Sequence, residues 1–389
     1  MKKRITFLLT FTLLCLTAVA QTDYTTKITN PSFENEWTGW EHKNLGLQGN
    51  SVFDIKAGNI YAEKWTGRGG KVGSAHASQI LTDLPPGNYE LSAAAQNIQE
   101  DTPKTVQSGA WIFAGDNKTK VTVRDTYTVT FTYVTGEIKI GFEAVDATGN
   151  WISVDNFRLT LVGDDLSKEL TAAIESALAL YGDGSGKEAE QLKSTIDAAQ
   201  DVANNAASSG EEQANAIKAL LDAEETYKRA NASEENPYDL TSLIINPSFE
   251  TGDLTGWTSS GMGTQGNSVF NIKQGNTYVE RWTSRGSAVG DARLSQILKG
   301  MRPGRYRLMA AAQNIQEDTP KQEQTGAWIY ANTHQTAVTI RQDYTLEFVL
   351  VSDQLEIGFK AESATGNWLA VDNFRLQFIS LAALHPPQS

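Results

Sequence analysis

Cysteine is almost missing from this chain of 389 residues, which contains only Cys15. A single cysteine cannot form a disulfide within the chain, so we expect no covalent cross-link to stabilise the fold. Long apolar stretches are also missing after residue 20, because no segment there approaches the ~20 apolar residues that cross a bilayer. We therefore predict that the mature chain has neither a disulfide nor a transmembrane segment.

The first 20 residues have the pattern of a secretory signal peptide. Residues 2–4 are basic, residues 5–19 are apolar, and Ala18, Val19 and Ala20 form a small-residue cleavage site. We predict that residues 1–20 are removed and that the protein is exported to the periplasm, the cell surface or the extracellular space. Leu14 is too large for a good lipoprotein processing site before Cys15, so we expect no lipid anchor.

The chain has fewer basic residues than acidic ones. Its formal net charge is −13, and residues 164–240 hold 17 acidic and 6 basic residues, a net of −11 that leaves about −2 for the rest. Nucleic-acid binding depends on neutralising phosphates with basic side chains. We therefore predict no nucleic-acid partner, and the near-neutral remainder suits an uncharged ligand at least as well as any other.

The chain contains one segment twice. Residues 48–159 align without a gap with residues 265–376, at an offset of 217, and 68 of the 112 positions are identical. Units of this length are far longer than the 20 to 50 residues of solenoid repeats, so each copy is predicted to be a whole domain. Residues 93–104 recur without change as residues 310–321, and most of this run is polar, as in a loop.

Both copies show the alternation typical of antiparallel strands. In the first copy, apolar residues at positions 89, 91, 93 and 95 alternate with polar or small ones, and positions 129–133 and 138–142 repeat the pattern. Turn residues interrupt these runs at 85–87, 135–136 and 148–150. About eight short strands with no convincing helix predict a mainly β protein with two β-sandwich domains, most plausibly jelly rolls.

The middle segment changes to a helical period. Leu166, Leu170, Ile174 and Leu178 lie four apart, and residues 192–196 and 214–227 continue the pattern, so three amphipathic helices are predicted. Ser209 and Glu212 form a capping box at the start of the third. The predicted domains are residues 24–163, a three-helix spacer over 164–236, residues 237–380, and an unstructured tail at 381–389, which is compatible with truncation of a longer protein.

The ends of the two copies resemble a known family. Asn30-Pro-Ser-Phe-Glu34 with Thr38-Gly-Trp40, and Val154-Asp-Asn-Phe-Arg-Leu159, resemble the first and last strands of galactose-binding-like jelly-roll modules, and residues 246–257 and 371–376 repeat them. The middle segment resembles the FIVAR-like helical spacers of secreted bacterial glycosidases and surface proteins. The resemblance implies a carbohydrate-binding module in each copy, with a poly- or oligosaccharide as the ligand.

The resemblance also implies one structural calcium ion per copy. Its side-chain ligands would be Glu34 and Asp155 in the first copy and Glu250 and Asp372 in the second. Calcium takes six to eight oxygen ligands, and backbone carbonyls can complete a shell begun by two carboxylates. The alternative is that these acids accept turn or backbone hydrogen bonds without a metal.

Sugar recognition combines flat apolar faces with planar hydrogen-bonding groups, so Trp, Asn, Gln and Arg are the expected residues. The candidates in the first copy are Trp65, Arg68, Gln96, Asn97, Trp111, Asn150 and Trp151, and those in the second are Trp282, Arg285, Gln313, Asn314, Trp328, Asn367 and Trp368. A Trp in a sandwich can equally belong to the core, which we expect more of Trp111 and Trp40 than of Trp65, whose neighbours are polar. Because loops usually change more than strands, the unchanged run 96–104 is predicted to border the site.

Catalytic patterns are weak. A glycosidase needs two carboxylates about 5 to 10 Å apart, one with a raised pKa, and no histidine recurs, since His42, His76 and His334 face Ser259, Arg293 and Asn117. The adjacent acids Glu100 and Asp101 recur but are typical of a solvated loop. We predict a non-catalytic, bivalent glycan-binding protein. One alternative is a surface adhesion or scaffold protein that binds protein partners. Others are an accessory part of a larger glycoside hydrolase, whose catalytic domain is missing from this chain, and an enzyme whose jelly rolls themselves act on glycans.

Overall fold

The structure is a computed structural model that describes residues 21–182 and 184–381. The predicted signal peptide and residues 382–389 of the predicted tail lie outside the described residues. The chain divides into two compact units, Met1–Ala223 and Glu224–Ser389, which are described separately. In the described ranges, no helix has both the length and the apolar character needed to cross a membrane.

Eleven strands form the first copy, and eight of them have four residues or more. They are β1 (Thr22–Asp23), β2 (Glu41–Lys43), β3 (Gly46–Gln48), β4 (Tyr61–Trp65), β5 (Gly73–Thr82), β6 (Gly87–Ile98), β7 (Ala110–Ala114), β8 (Asn117–Lys120), β9 (Asp125–Tyr133), β10 (Glu137–Ala147) and β11 (Trp151–Gly163). A short 3-10 helix covers Thr25–Lys27. Every pairing is antiparallel.

These strands make two sheets around one core. The first sheet has the order β3-β4-β11-β6-β9, with β1 added to β11, and the second has the order β2-β5-β10-β7-β8. Leu91 and Val154 of the first sheet and Ile112 and Phe142 of the second belong to a single buried cluster. The predicted alternation is confirmed on β6, where Tyr89, Leu91, Ala93 and Ala95 are all buried.

The second copy repeats this arrangement in the second unit. Its strands are β12 (Tyr238–Asp239), β13 (Thr258–Ser260), β14 (Gly263–Gln265), β15 (Tyr278–Trp282), β16 (Gly290–Lys299), β17 (Gly304–Ile315), β18 (Ala327–Ala331), β19 (His334–Ala337), β20 (Gln342–Leu350), β21 (Gln354–Ala364) and β22 (Trp368–Ser380). The sheet orders are β14-β15-β22-β17-β20, with β12 on β22, and β13-β16-β21-β18-β19. The described chain is therefore mainly β, with four sandwich-like sheets.

Three helices lie between the copies: α1 (Ser167–Tyr181), α2 (Lys187–Asn204) and α3 (Gly210–Ala230). The capping box is confirmed, because the Ser209 backbone N–H donates to Glu212 at 2.7 Å and the Glu212 N–H donates to the Ser209 hydroxyl at 3.2 Å. Leu178 was expected to be buried but is 39% exposed, and Ala177 is buried instead. Steps of four residues drift by about 40° each on a helix, so a run of them leaves the buried face.

Candidate functional site

The outer face of the first sheet carries a second, smaller apolar cluster. On β4, β6 and β11, residues such as Ala62, Ala95 and Val154 point into the core, and their alternate neighbours point to the other side. Tyr61, Ala94, Ile98 and Trp151 lie on that other side, and Phe53 from the loop before β4 packs on them. The outer face is therefore partly covered by the loop of residues 49–60.

Beside this cluster lies a cleft with a volume of about 600 Å³. We call it the first-copy cleft, and its lining residues are Arg68, Ile98, Glu100, Pro103, Lys104, Val123, Arg124 and Trp151. Four of these eight belong to the run that is identical in both copies. The structure thus places the unchanged run in the wall of a concave surface, next to an aromatic floor.

Arg124 lines the cleft and was not among the residues predicted from the sequence. Its Nε donates to Gln96 Oε1 at 2.7 Å and its Nη1 donates to Asp54 at 2.8 Å. The guanidinium carbon lies 5.4 Å from the ring centroid of Trp151, which is a cation–π contact. One signal in the sequence could have identified it. Arg124 is the only arginine between Arg68 and Arg158, and it recurs in the second copy as Arg341.

Trp65 stands at the end of β4 with 56% of its surface exposed. Its indole N–H donates to Glu100 Oε2 at 2.7 Å, and the amide of Asn150 donates to the same oxygen at 3.0 Å. Hydrogen bonds from Trp65 and then Asn150 hold the pKa of Glu100 below its ordinary value. The carboxylate therefore fixes the orientation of an exposed aromatic face at the edge of the cleft.

Asn150 is itself fully buried, and its Oδ1 accepts the Glu100 backbone N–H at 2.9 Å. Its role in this structure is to hold the loop rather than to present an amide to solvent. Arg68 is exposed and pairs with Asp101 at 3.2 Å, also from the unchanged run. Both residues thus join neighbouring segments to the loop that forms the cleft wall.

Trp151 forms the floor of the cleft and is 7% exposed. Its indole N–H donates to Glu63 Oε2 at 2.8 Å, and the Tyr61 hydroxyl donates to the same oxygen at 3.1 Å. Burial and the nearby Glu63 charge raise the pKa of Tyr61. This buried network keeps the floor rigid, because each polar group in it has a partner.

Gln96 and Asn97, although adjacent, lie on opposite faces of the sheet. Gln96 is buried beneath Arg124 and donates from Nε2 to the Ser153 hydroxyl at 3.1 Å. Asn97 faces inwards, where it donates to the Ser108 carbonyl at 2.9 Å and accepts the Gly149 N–H at 3.2 Å. In this structure Gln96 positions Arg124, and Asn97 is a structural residue away from the cleft.

Trp111 lies on a different surface from the other candidates. It belongs to β7 of the second sheet, where Ala110 and Ile112 point into the core and Trp111, half-buried, points outwards. Trp328 has the same place on β18, with Lys360 Nζ 5.5 Å from its ring centroid. The structure therefore does not bring Trp111 or Trp328 together with the residues of the cleft.

The second copy reproduces the central contacts. Trp282 is 57% exposed and donates to Glu317 at 2.8 Å, which accepts from Asn367 at 3.0 Å. Trp368 donates to Glu280 at 2.7 Å. Asn314 is buried and donates to the Thr325 carbonyl. Arg341 donates to Gln313 at 2.6 Å and lies 5.1 Å from the Trp368 ring centroid. Arg285 pairs with Asp318 at 3.3 Å.

The predicted calcium ligands lie at the loop of residues 49–60. Asp155 is fully buried; its Oδ2 accepts the Ala57 N–H at 2.6 Å, and its Oδ1 has no hydrogen-bond partner in the described part of the chain. Burial raises the pKa of Asp155 to about 7. An unpartnered buried carboxylate oxygen is where a cation would fit.

Glu34 is a weaker fit for calcium. Its Oε1 accepts the backbone N–H groups of Asn59 and Ile60, both at 2.7 Å. The hydrogen bond from Ile60 is the main cause of the lowered pKa of Glu34. No cluster of three or more His, Cys, Asp or Glu side chains suited to a metal occurs within residues 21–182 and 184–381. A calcium shell here would therefore consist largely of backbone carbonyls around the aspartate.

Asp372 and Glu250 repeat these contacts in the second copy. Asp372 Oδ2 accepts the Gln274 N–H at 2.6 Å, and its Oδ1 again has no partner in the described part of the chain. Glu250 accepts the backbone N–H groups of Asn276 and Thr277. The same two candidate calcium ligands, with the same unpartnered aspartate oxygen, thus occur in both copies.

Solved structures similar to parts of this chain include carbohydrate-binding modules. TmCBM61, solved with β-1,4-galactotriose, is 19% identical over 34% of this chain and 96% of its own, with a TM-score of 0.28. The tandem CBM22-1-CBM22-2 of Paenibacillus barcinonensis Xyn10C is 11% identical over 90% of this chain and 96% of its own, with a TM-score of 0.26. A cyclase from Fischerella sp. TAU is 17% identical over 38% of this chain and 100% of its own, with a TM-score of 0.30.

Neither a scan of protein-family models nor a search of curated proteins found a match to this chain. The three structural likenesses have TM-scores below 0.5. What the protein does is therefore argued from its own cleft.

Proposed function

We propose that the protein binds carbohydrate, with one site on the outer face of the first sheet of each copy. The observation that carries this proposal is the combination, in one place, of an exposed Trp65, an aromatic floor at Trp151 and the guanidinium of Arg124. Aromatic faces stack on the C–H surfaces of sugars, and a guanidinium donates to hydroxyl oxygens in a fixed plane. Both copies contain this combination, each on a jelly-roll β-sandwich.

The side chains of the site are held in place before a ligand binds. Glu100 holds the indole of Trp65, Glu63 holds that of Trp151, and Gln96 holds Arg124. Fixing these side chains before binding reduces the entropy lost when the ligand is bound. This explains how a small cleft could bind a flexible oligosaccharide.

We propose that binding is not accompanied by catalysis. A glycosidase requires a carboxylic acid with a raised pKa at the scissile bond. Glu100, the carboxylate that lines the cleft, has a lowered pKa because Trp65 and Asn150 donate to it. Glu100 is therefore ionised at neutral pH and serves as an acceptor.

We propose further that the protein is exported and that its two sites act together on one polymer, with a FIVAR-like three-helix bundle as the spacer. Two weak sites on one chain gain affinity through effective concentration if both reach the same ligand molecule. The supporting observations are the two equivalent sets of contacts and the helices between them. Disabling one copy should therefore weaken binding to a polymer much more than binding to a short oligosaccharide.

We propose that a calcium ion supports each copy. Asp155 and Asp372 would hold it through the oxygen that has no other partner, and Glu34 and Glu250 accept backbone N–H groups of the same loop in each copy. The bound ion would supply positive charge that favours the ionised carboxylate. The test is thermal unfolding with calcium, with magnesium and with a chelator. Calcium should raise Tm in the native protein and not in a variant with Asp155→Asn and Asp372→Asn.

The proposed function is tested with a glycan array and affinity gels on the mature protein, with and without a chelator. The expected result is retention by at least one polysaccharide and no release of shorter products. Hydrolysis products would contradict the non-catalytic part of the proposal. Absence of binding to every neutral and acidic glycan would contradict the proposal itself and would favour a protein partner.

A further inference from the structure

The equivalent surfaces of the two copies differ at one charged position. In the first copy, Arg124 Nη1 donates to the carboxylate of Asp54 at 2.8 Å. In the second copy, the equivalent acceptor is Asn271, whose Oδ1 lies 2.9 Å from Arg341 Nη1. The same arginine is therefore paired with an anion in one copy and with a neutral amide in the other.

The other contacts of Arg341 do not replace the missing charge. Its Nε donates to Gln313 and its Nη1 also donates to the Val269 carbonyl at 2.9 Å, and both acceptors are neutral. Among the residues that the structure describes, no carboxylate forms an ion pair with Arg341. Burial lowers the pKa of Arg341, as expected for a cation that has lost water without gaining an anion.

A second difference removes another acceptor from the second copy. In the first copy, Gln96 Nε2 donates to the hydroxyl of Ser153, whose equivalent in the second copy is Ala370. As a result, Gln313 Nε2 is a buried donor without a partner within the described ranges. The second copy thus has the same donors as the first, but it lacks one acceptor, the Ser153 hydroxyl, and the negative charge of another, Asp54.

We infer that the second copy binds a sugar that carries a carboxylate, a uronic acid, while the first copy binds a neutral sugar. In the first copy, Asp54 neutralises the guanidinium and would repel a ligand carboxylate. In the second, a ligand carboxylate can supply the anion that Arg341 lacks, by charge-assisted hydrogen bonds to the planar guanidinium. The inference rests on the proposed function, because it assigns a ligand class to the same sites.

The test uses the full mature chain with one copy disabled at a time. Trp65→Ala disables the first copy, so that the measured binding is that of the second copy. Trp282→Ala disables the second copy, so that the measured binding is that of the first. The probes are polygalacturonate, alginate, hyaluronate and glucuronoxylan, each beside its carboxyl-reduced form, so that backbone and length are matched within a pair. Affinity gels at low and high salt give the ratio of acidic to neutral binding for each pair.

With Trp65→Ala, we expect at least one acidic probe to bind roughly tenfold more tightly than its reduced form, the size of one charge-assisted hydrogen bond. The ratio should decrease with salt, because salt screens the attraction between the guanidinium and the anionic probe. With Trp282→Ala, no acidic probe should be preferred.

Matched exchanges between the copies complete the design. Asn271→Asp in the Trp65→Ala protein should reduce the acidic preference to that of the first copy, and Asp54→Asn in the Trp282→Ala protein should create one. Thermal unfolding checks that each variant is folded. If one of the two exchanges prevents folding, the other still tests the inference.

Equal binding of acidic and reduced probes by the second copy, or an unchanged ratio after both exchanges, would overturn the inference while leaving carbohydrate binding intact. Failure of every acidic and neutral glycan to bind would overturn both.

Discussion

Within the first copy, Trp65 and Trp111 occupy the outer faces of two opposite sheets. Trp65 is 56% exposed, is fixed by Glu100 and stands beside a cleft that contains Arg124. Trp111 is half-buried on β7, beside the β8 and β10 positions of Lys120 and Glu143. Polar groups thus orient Trp65 next to a concavity and Trp111 lies away from it, so we propose a ligand surface for Trp65 and not for Trp111.

The largest expected effect concerns the tryptophan that is buried on the cleft side. Trp151→Ala should lower the free energy of unfolding by about 3–5 kcal/mol, because it removes a large buried ring and leaves Glu63 without its indole donor. Trp111→Ala, on the other face, should cost much less. Chemical denaturation measures both, and equal costs would contradict the distinction between the two faces.

The second effect separates two adjacent residues of the unchanged run. Asn97→Ala should lower the free energy of unfolding by about 1–3 kcal/mol, because the Gly149 N–H and the Ser108 carbonyl lose a buried partner. Glycan binding by the folded fraction should remain.

Gln96→Ala is the matched variant, since it releases Arg124 Nε and should weaken glycan binding. Denaturation and affinity gels are measured on both variants. If Asn97→Ala weakened binding while Gln96→Ala did not, the assignment of these two residues would be wrong.

The smallest effect is a pH dependence at the edge of the cleft. The pKa of Glu100 is lowered in the folded protein, so its contribution to stability is present above the ordinary pKa of glutamate, ~4.3, and is lost as the pH falls through the lowered value. We expect this carboxylate to leave binding unchanged above the ordinary pKa of glutamate and to weaken binding only as the pH falls below it. Glu100→Gln should bind with less pH dependence, and an identical profile in this variant would contradict the role of the carboxylate.

Much of the fold could be predicted from the sequence, and the physical reason is local periodicity. The alternation of residues 89–95 identified β6, and the Ser209 and Glu212 pair located the start of α3. Leu178 was misassigned because steps of four residues leave the buried face of a helix.

The site was harder to predict than the fold, because strand pairing brings together residues that are far apart in the sequence. The unchanged run was expected to be a loop that borders a site, but residues 93–98 belong to β6. Of the run, residues 98, 100, 103 and 104 line the cleft. Its lack of change also has a structural cause, since Asn97 and Gln99 hold distant backbone groups. Arg124 was missed because its contacts with Gln96 and Asp54 join residues 28 and 70 positions apart. Trp111 was included because nothing in the sequence assigns β7 to the second sheet.

The central claim is that glycan binding occurs on the cleft side of each copy. The most direct measurement is the affinity of the mature protein for a bound polysaccharide after Trp65→Ala with Trp282→Ala, compared with Trp111→Ala with Trp328→Ala. The first pair should lose at least about tenfold in affinity, since an aromatic stacking surface is removed from each site. The second pair should bind as the native protein does. Loss of binding in the second pair with retention in the first would contradict the account.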